Sequence, residues 1–174
     1  MAKRPKVCID RILPRDVMRL QQTERQRGGP LRAINPIGKA WPNGSILHVK
    51  FIDGTPAKQE VAREQAGWWG KVANLKFDFN NASNAEIRIS FDANDGAWSY
   101  VGTDCRGIPL DQATMNLGFL DGGTAGHEFG HAIGLAHEHQ NPAGGIQWNE
   151  AVVIRELAKS PNFWDEATTR HNVL

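Results

Sequence analysis

Residues 45–52 alternate, with Ile46, His48 and Lys50 on one side of an extended chain and Leu47, Val49 and Phe51 on the other. A period of two predicts a strand with one buried face, closed here by the turn signal Asp53-Gly54. His48 belongs to the less buried side and is not expected to bind a metal. Thr55 then stands as a helix cap with Pro56 in the first turn. Ala57, Val61, Trp68 and Val72 recur at helical spacing as the expected buried stripe, and Trp69 is expected in the core beside Trp68. Two short strands follow at 75–79 and 87–91, and the turn at 92–96 delivers a third, aromatic one at 98–101. Residues 103–111 read as a loop, and 114–120 as the last strand before a glycine-rich stretch. Asn149 is placed to cap a final helix whose Val152, Val153, Ile154 and Leu157 should face the core, with Ser160-Pro161 ending it. The tail at 163–174 reads as irregular, and His171 within it has no assignable role. Near the start, 14–27 has helical spacing at Val17, Met18 and Leu20, and 28–44 reads as a linker.

One stretch carries chemistry. Residues 127–137 run His-Glu-Phe-Gly-His-Ala-Ile-Gly-Leu-Ala-His, the spacing H-E-x-x-H-x-x-G-x-x-H. On a helix of about 3.6 residues per turn, His127 and His131 project from one face, so both imidazoles reach a single metal ion. Gly134 can take the left-handed backbone that ends a helix, and that turn can bring His137 round as a third ligand. Three neutral imidazoles leave the fourth position of a tetrahedral Zn²⁺ to water, the arrangement of catalytic rather than structural zinc sites. Glu128 is placed to take a proton from water that the metal has acidified, so the implied chemistry is amide hydrolysis with Glu128 as general base. One catalytic Zn²⁺ is the expected cofactor. Asp121 or Thr124 is the expected helix cap, while Gly123 and Gly126 weaken the helix start by about 1 kcal/mol each against alanine.

These eleven residues resemble the metzincin zinc peptidases, and the run His137-Glu138-His139 is similar to the astacin branch, especially its bacterial members. Trp41-Pro42-Asn43-Gly44, Trp98-Ser99-Tyr100-Val101-Gly102, Thr114-Met115-Asn116-Leu117-Gly118 and Gln140-Asn141-Pro142 extend the resemblance over residues 40–174. It implies an α+β, metzincin-like (zincin) domain: a twisted mixed sheet of four to five strands with a backing helix and an active-site helix. It also implies a zinc-dependent endopeptidase acting on a protein or peptide substrate. By resemblance, Thr114, Met115, Asn116, Leu117 and Gly118 lie at the sheet edge and bind extended substrate by β-augmentation. On their own pattern they are simply a strand that packs the sheet. Glu138 is implied to receive a new N-terminus once a propeptide is removed, and His139 reads as structural.

The chain departs from the family in three places. Small residues, Gly123 to Gly126, stand where bulky aliphatics usually precede the first histidine. No methionine turn follows the zinc stretch, because Met1, Met18 and Met115 all precede it, and no tyrosine follows it either. The expectation is a basic leader, possible propeptide and linker over 1–40, then a catalytic domain over 41–174 with its C-terminal part truncated. The truncation motivates an alternative: an inactive metzincin-like module acting as delivered effector cargo or as a partner-binding protein.

Charge sharpens the division. Of 20 Lys/Arg and 19 Asp/Glu, residues 1–32 hold nine and three, leaving the leader at +6 and the rest at −5. Opposite charge favours intramolecular docking of leader on body, and a solvated arm is the plainer reading. The leader lacks interleaved aromatics, so no nucleic-acid partner is expected. No apolar run is long enough to span a membrane, and no signal peptide is visible, which leaves secretion or translocation by another route as the expectation ahead of residence in the cytoplasm. Cys8 and Cys105 are the only cysteines. They read as two separate thiols, as one disulfide tying leader to body, or, for Cys8, as an inhibitory thiolate on the metal.

Overall fold

A computed structural model describes residues 8–11, 38–140, 145–159 and 163–174, and the helix expected at 14–27 lies outside them. Short β-rich segments separated by turns form one six-stranded mixed sheet. Its strands are β1 (Cys8–Arg11), β2 (Ile46–Phe51), β3 (Lys76–Asp78), β4 (Ile87–Ser90), β5 (Ala97–Tyr100) and β6 (Met115–Leu117). Their order is β1-β5-β6-β4-β2-β3, and every pairing is parallel except β5 with β6. Residues 46–117 supply five strands, as expected; the sixth, β1, comes from residues 8–11.

Four α-helices accompany the sheet among the described residues: α1 (Pro56–Gly70), α2 (Thr124–Ala132), α3 (Glu150–Leu157) and α4 (Glu166–Asn172). The start of α1 is as read from sequence, with the Thr55 side chain accepting from the Lys58 N–H and Pro56 in the first turn. Its buried face is not. Ala62, Gln65 and Ala66 are buried, while Trp68 is 45 % and Val72 79 % exposed. The small side chains win because α1 packs directly against α2 and needs close approach there. Helix α2 is anchored to the sheet by Phe129, fully buried and edge-on to Phe77 (ring centroids 5.2 Å apart) and Phe79 (6.5 Å).

Two buried charges hold the loops around this core. Arg88, on β4, is 1 % exposed and spends its guanidinium on backbone carbonyls: Nε on Gln112 (2.7 Å), Nη1 on Ala85 (2.8 Å), Nη2 on Ile108 (3.0 Å) and Pro109 (3.1 Å). Burial pulls its pKa down, which the neighbouring Cys105 and Asp111 partly oppose. Arg88→Met strips four carbonyl acceptors of their donor, two of them fully buried, and should lower unfolding stability by about 2 kcal/mol or more, measured by urea denaturation; a loss under about 1 kcal/mol would contradict this role. The second charge is Lys39, paired to Asp104 at 2.5 Å with both side chains buried. The Lys39 carbonyl also accepts from the Thr103 N–H at 2.9 Å. Lys39 thus ties the segment just before Trp41 to the loop after β5.

The C-terminal part differs from expectation in two ways. None of the α3 residues is buried, although Asn149 caps the helix as read, accepting from the Val152 N–H. The tail is not irregular: Asp165 accepts from the Thr168 N–H and starts α4, whose Arg170 pairs with Glu150 and Glu166 at the surface. Among the described residues no helix is long and apolar enough to cross a membrane.

Candidate metal centre

The histidine-bearing helix α2 ends by the mechanism that its glycine suggested. Gly134 has φ +111°, the Gly134 N–H donates to His131 O (2.8 Å) and the Leu135 N–H to Gly130 O (3.0 Å). This pair of bonds is the Schellman closure, and only glycine enters it without strain. A side chain at 134 would also press on Lys39 and Ala40, so the turn is seated against the start of the body.

Beyond the turn, His137 comes back to the helix. His127 Nε2 lies 3.1 Å from His131 Nε2 and 3.2 Å from His137 Nε2. A carbonyl only accepts, so the 2.8 Å contact between His131 Nδ1 and Leu135 O fixes the proton on Nδ1 and leaves a lone pair on Nε2. Three ring nitrogens thus converge on one point.

Cys8 meets them there. Its Sγ is 3.5 Å from His131 Nε2, and the ligand atoms of Cys8, His127, His131 and His137 all lie within 4.8 Å of one another. Zinc bonds of about 2.05 Å to nitrogen and 2.3 Å to sulfur, at tetrahedral angles, separate the ligands by about 3.3 Å (N to N) and about 3.5 Å (N to S). The three shortest separations, 3.1, 3.2 and 3.5 Å, match that donor set, and the remaining ones stay within 4.8 Å, so these residues fit a zinc ion.

Of the three readings of the cysteines, the structure sets aside the disulfide: Cys8 faces the histidines, Cys105 is buried in the core, and no bond joins them. Burial pushes the Cys105 thiol up to about 12. It should therefore resist alkylation in the native protein at pH 8 and react only in denaturant, as mass spectrometry of labelled peptides will show; rapid native labelling would contradict its burial. The same shift makes stability fall as pH rises above about 9, where the unfolded thiol ionises and the folded one does not.

Glu128 is fully buried, next in sequence to His127, and lines a pocket of about 370 Å³ together with Cys8, Phe119, Asp121, Gly123, Thr124 and His127. His139 does not join the ligand cluster but stacks on His137, centroids 4.9 Å apart, with Trp148 edge-on behind it. Glu138 sits exposed in the turn after the third histidine. His48 is remote from the site, bonded through Nδ1 to Glu86. Neither expected residue caps α2: its N-cap is Gly123, and the Thr124 hydroxyl turns back to Asp121.

Thr114 to Gly118 do not form the sheet edge. β6 lies between β4 and β5, bonded on both sides, and Thr114, Met115, Asn116 and Leu117 are buried. Asn116 spends its amide on Asp92 O and Gly96 O, closing the turn before β5. Apart from β1, the sheet's edge strands are β5 and β3, and β1 pairs with β5 in parallel, Cys8 opposite Ala97 and Arg11 opposite Tyr100. β1 therefore covers that edge and places its first residue, Cys8, beside the histidines. Local periodicity names strands but not their order in a sheet, which is why the edge differs from the one expected.

A mixed sheet with one antiparallel body strand, and a helix presenting two histidines that a glycine turn completes with a third, define a metzincin-type metallopeptidase fold. Sequence comparison makes this specific. The astacin family of peptidases matches residues 33–158, and the chain belongs to that family. It is 30 % identical over 115 residues to Astacin-like metalloprotease toxin 1 of Loxosceles intermedia, covering 64 % of this chain and 42 % of that protein. With Blastula protease 10 of Paracentrotus lividus it shares 27 % over 140 residues, covering 75 % and 23 %. The solved structure of myroilysin superposes with a TM-score of 0.75 at 35 % identity, covering 80 % of this chain and 71 % of that one. The chain thus spans less than half the length of these two sequence relatives.

Proposed function

We propose that this chain is a zinc-dependent endopeptidase, acting on protein or peptide substrates and held latent by its own leader. The observation that carries the reading is the convergence of His127, His131 and His137 on one point, with Glu128 buried beside the first. His127, His131 and His137 would hold one zinc ion, with Cys8 on the fourth position. Bound there, zinc supplies a Lewis acid and a water acidic enough to become a nucleophile near neutral pH. Glu128 takes the proton on a carboxylate oxygen and returns it to the departing amine. His131 is held in its ligating tautomer by Leu135 O.

Latency has two physical parts. Cys8 would take the ligand position that water needs, and β1 occupies the β5 edge that an extended substrate would pair with. The inactive-module alternative is the less favoured, because the three histidines and the glutamate are all in place. Work outside the cytosol is in keeping with a relative named as a toxin.

The full chain, with Cys8 replaced or displaced, should cleave a denatured protein, stop when a chelator is added and recover with zinc. Cleavage indifferent to chelator would refute the reading.

A further inference from the structure

Helix α2 is poorly specified by its own nine residues. Its N-cap, Gly123, makes no side-chain cap bond, and glycine recurs at 126 and 130 within it. Each interior glycine costs about 1 kcal/mol against alanine. Yet His127 and Glu128 sit in its first turns, where fraying would move them most.

The missing support comes from α1. Gln65 is 7 % exposed, and its side-chain amide spans the entry to α2: Oε1 accepts from the Gly126 N–H at 2.7 Å and Nε2 donates to Gly122 O at 3.0 Å. Trp69 Nε1 donates to Gly126 O at 2.7 Å. Both backbone polar groups of the residue before His127 are therefore bonded to side chains of another helix. The glycines make this approach workable. A Cβ at 126 would come within 2.9 Å of the Trp68 ring, and one at 130 within 3.1 Å of the Trp69 ring. Alanine would strengthen the isolated helix but push α1 away, so the glycines exchange local propensity for contact between helices.

We propose that Gln65 and Trp69 are positioning residues of the metal centre. Their bonds to Gly126 fix the rise and roll of the first turn of α2, so that His127 Nε2 meets the other two ligands. The inference rests on the zinc reading of the site. A purely structural role predicts that an isosteric apolar replacement of Gln65 lowers stability alone. A positioning role predicts that the metal is held less tightly, and that restoring the one acceptor facing Gly126 restores it.

The test is zinc affinity of the full chain by competition with a chromogenic chelator, for wild type, Gln65→Leu, Gln65→Glu and Trp69→Phe, with circular dichroism on each. Gln65→Leu should bind zinc about tenfold or more weakly, in the range typical of groups that support metal ligands. Gln65→Glu keeps the acceptor for the Gly126 N–H and, held neutral by burial, an O–H donor for Gly122 O, so it should stay within about threefold of wild type. Trp69→Phe keeps an aromatic side chain, loses the donor and should weaken binding severalfold. Gln65→Leu with wild-type affinity, or Gln65→Glu as weak as Gln65→Leu, overturns the proposal. If Gln65→Leu does not fold, Trp69→Phe decides, and unchanged affinity there overturns it as well. A wild type that binds no zinc overturns the zinc reading itself, an outcome distinct from a wild type that binds and variants that bind equally.

Discussion

Glu128→Ala is expected to reduce cleavage of a denatured protein by on the order of 10² to 10⁴, the contribution of a well-placed general base, while leaving the zinc content at about one ion per chain. Glu128 is buried beside the first histidine of α2 but is not among the residues whose ligand atoms converge, so removing its carboxylate deletes the proton acceptor and spares the ligands. The assay should be run in a chain already relieved of Cys8, so that latency does not mask the loss. A variant that cleaves at the parent's rate would take Glu128 out of the chemistry, and one that loses both zinc and cleavage would make it a structural carboxylate.

Cys8→Ala is expected to act in the opposite direction, raising cleavage by at least about tenfold over the full-length parent, since each 1.4 kcal/mol that the thiol gives the closed state withholds another factor of ten. The sulfur sits 3.5 Å from His131 Nε2, tethered by a strand paired with β5, so its local concentration at the metal is high without further contacts. The rise should be incomplete, because β1 still lies on the β5 edge. Cutting the leader away should complete it, provided the cut falls before Gly38 and leaves the Lys39 pair with Asp104 intact. Equal rates for parent and Cys8→Ala would show that the leader does not restrain the enzyme through its thiol.

How far the sequence foretells this structure varies with the range of each interaction. The histidine cluster is legible because a helix of known pitch and one glycine place three imidazoles with few alternatives. The cap of α1 at Thr55 and that of α3 at Asn149 are legible for the same local reason. What the sequence hides depends on partners far along the chain. An apolar stripe read from α1 alone takes no account of what α1 meets, and α2 with its glycines selects the Ala62, Gln65 and Ala66 face instead. The order of β5 and β6 is a property of the sheet, and no pattern within residues 114–120 encodes it. Cys8 reaches His131 across 123 residues, so the sequence poses the thiolate only as one reading among three. The α4 cap at Asp165 is a local signal, but the short polar segment after it carries no apolar stripe to mark a helix.

Elemental analysis of the full chain, purified without chelators, offered excess zinc and then desalted, tests the convergence of the three histidines on a metal most directly. It should return about one zinc per chain in the wild type and far less in a variant with His131→Ala, because that ring faces every other ligand of the set. A wild type that retains no zinc, or a His131→Ala chain that retains as much, would contradict it.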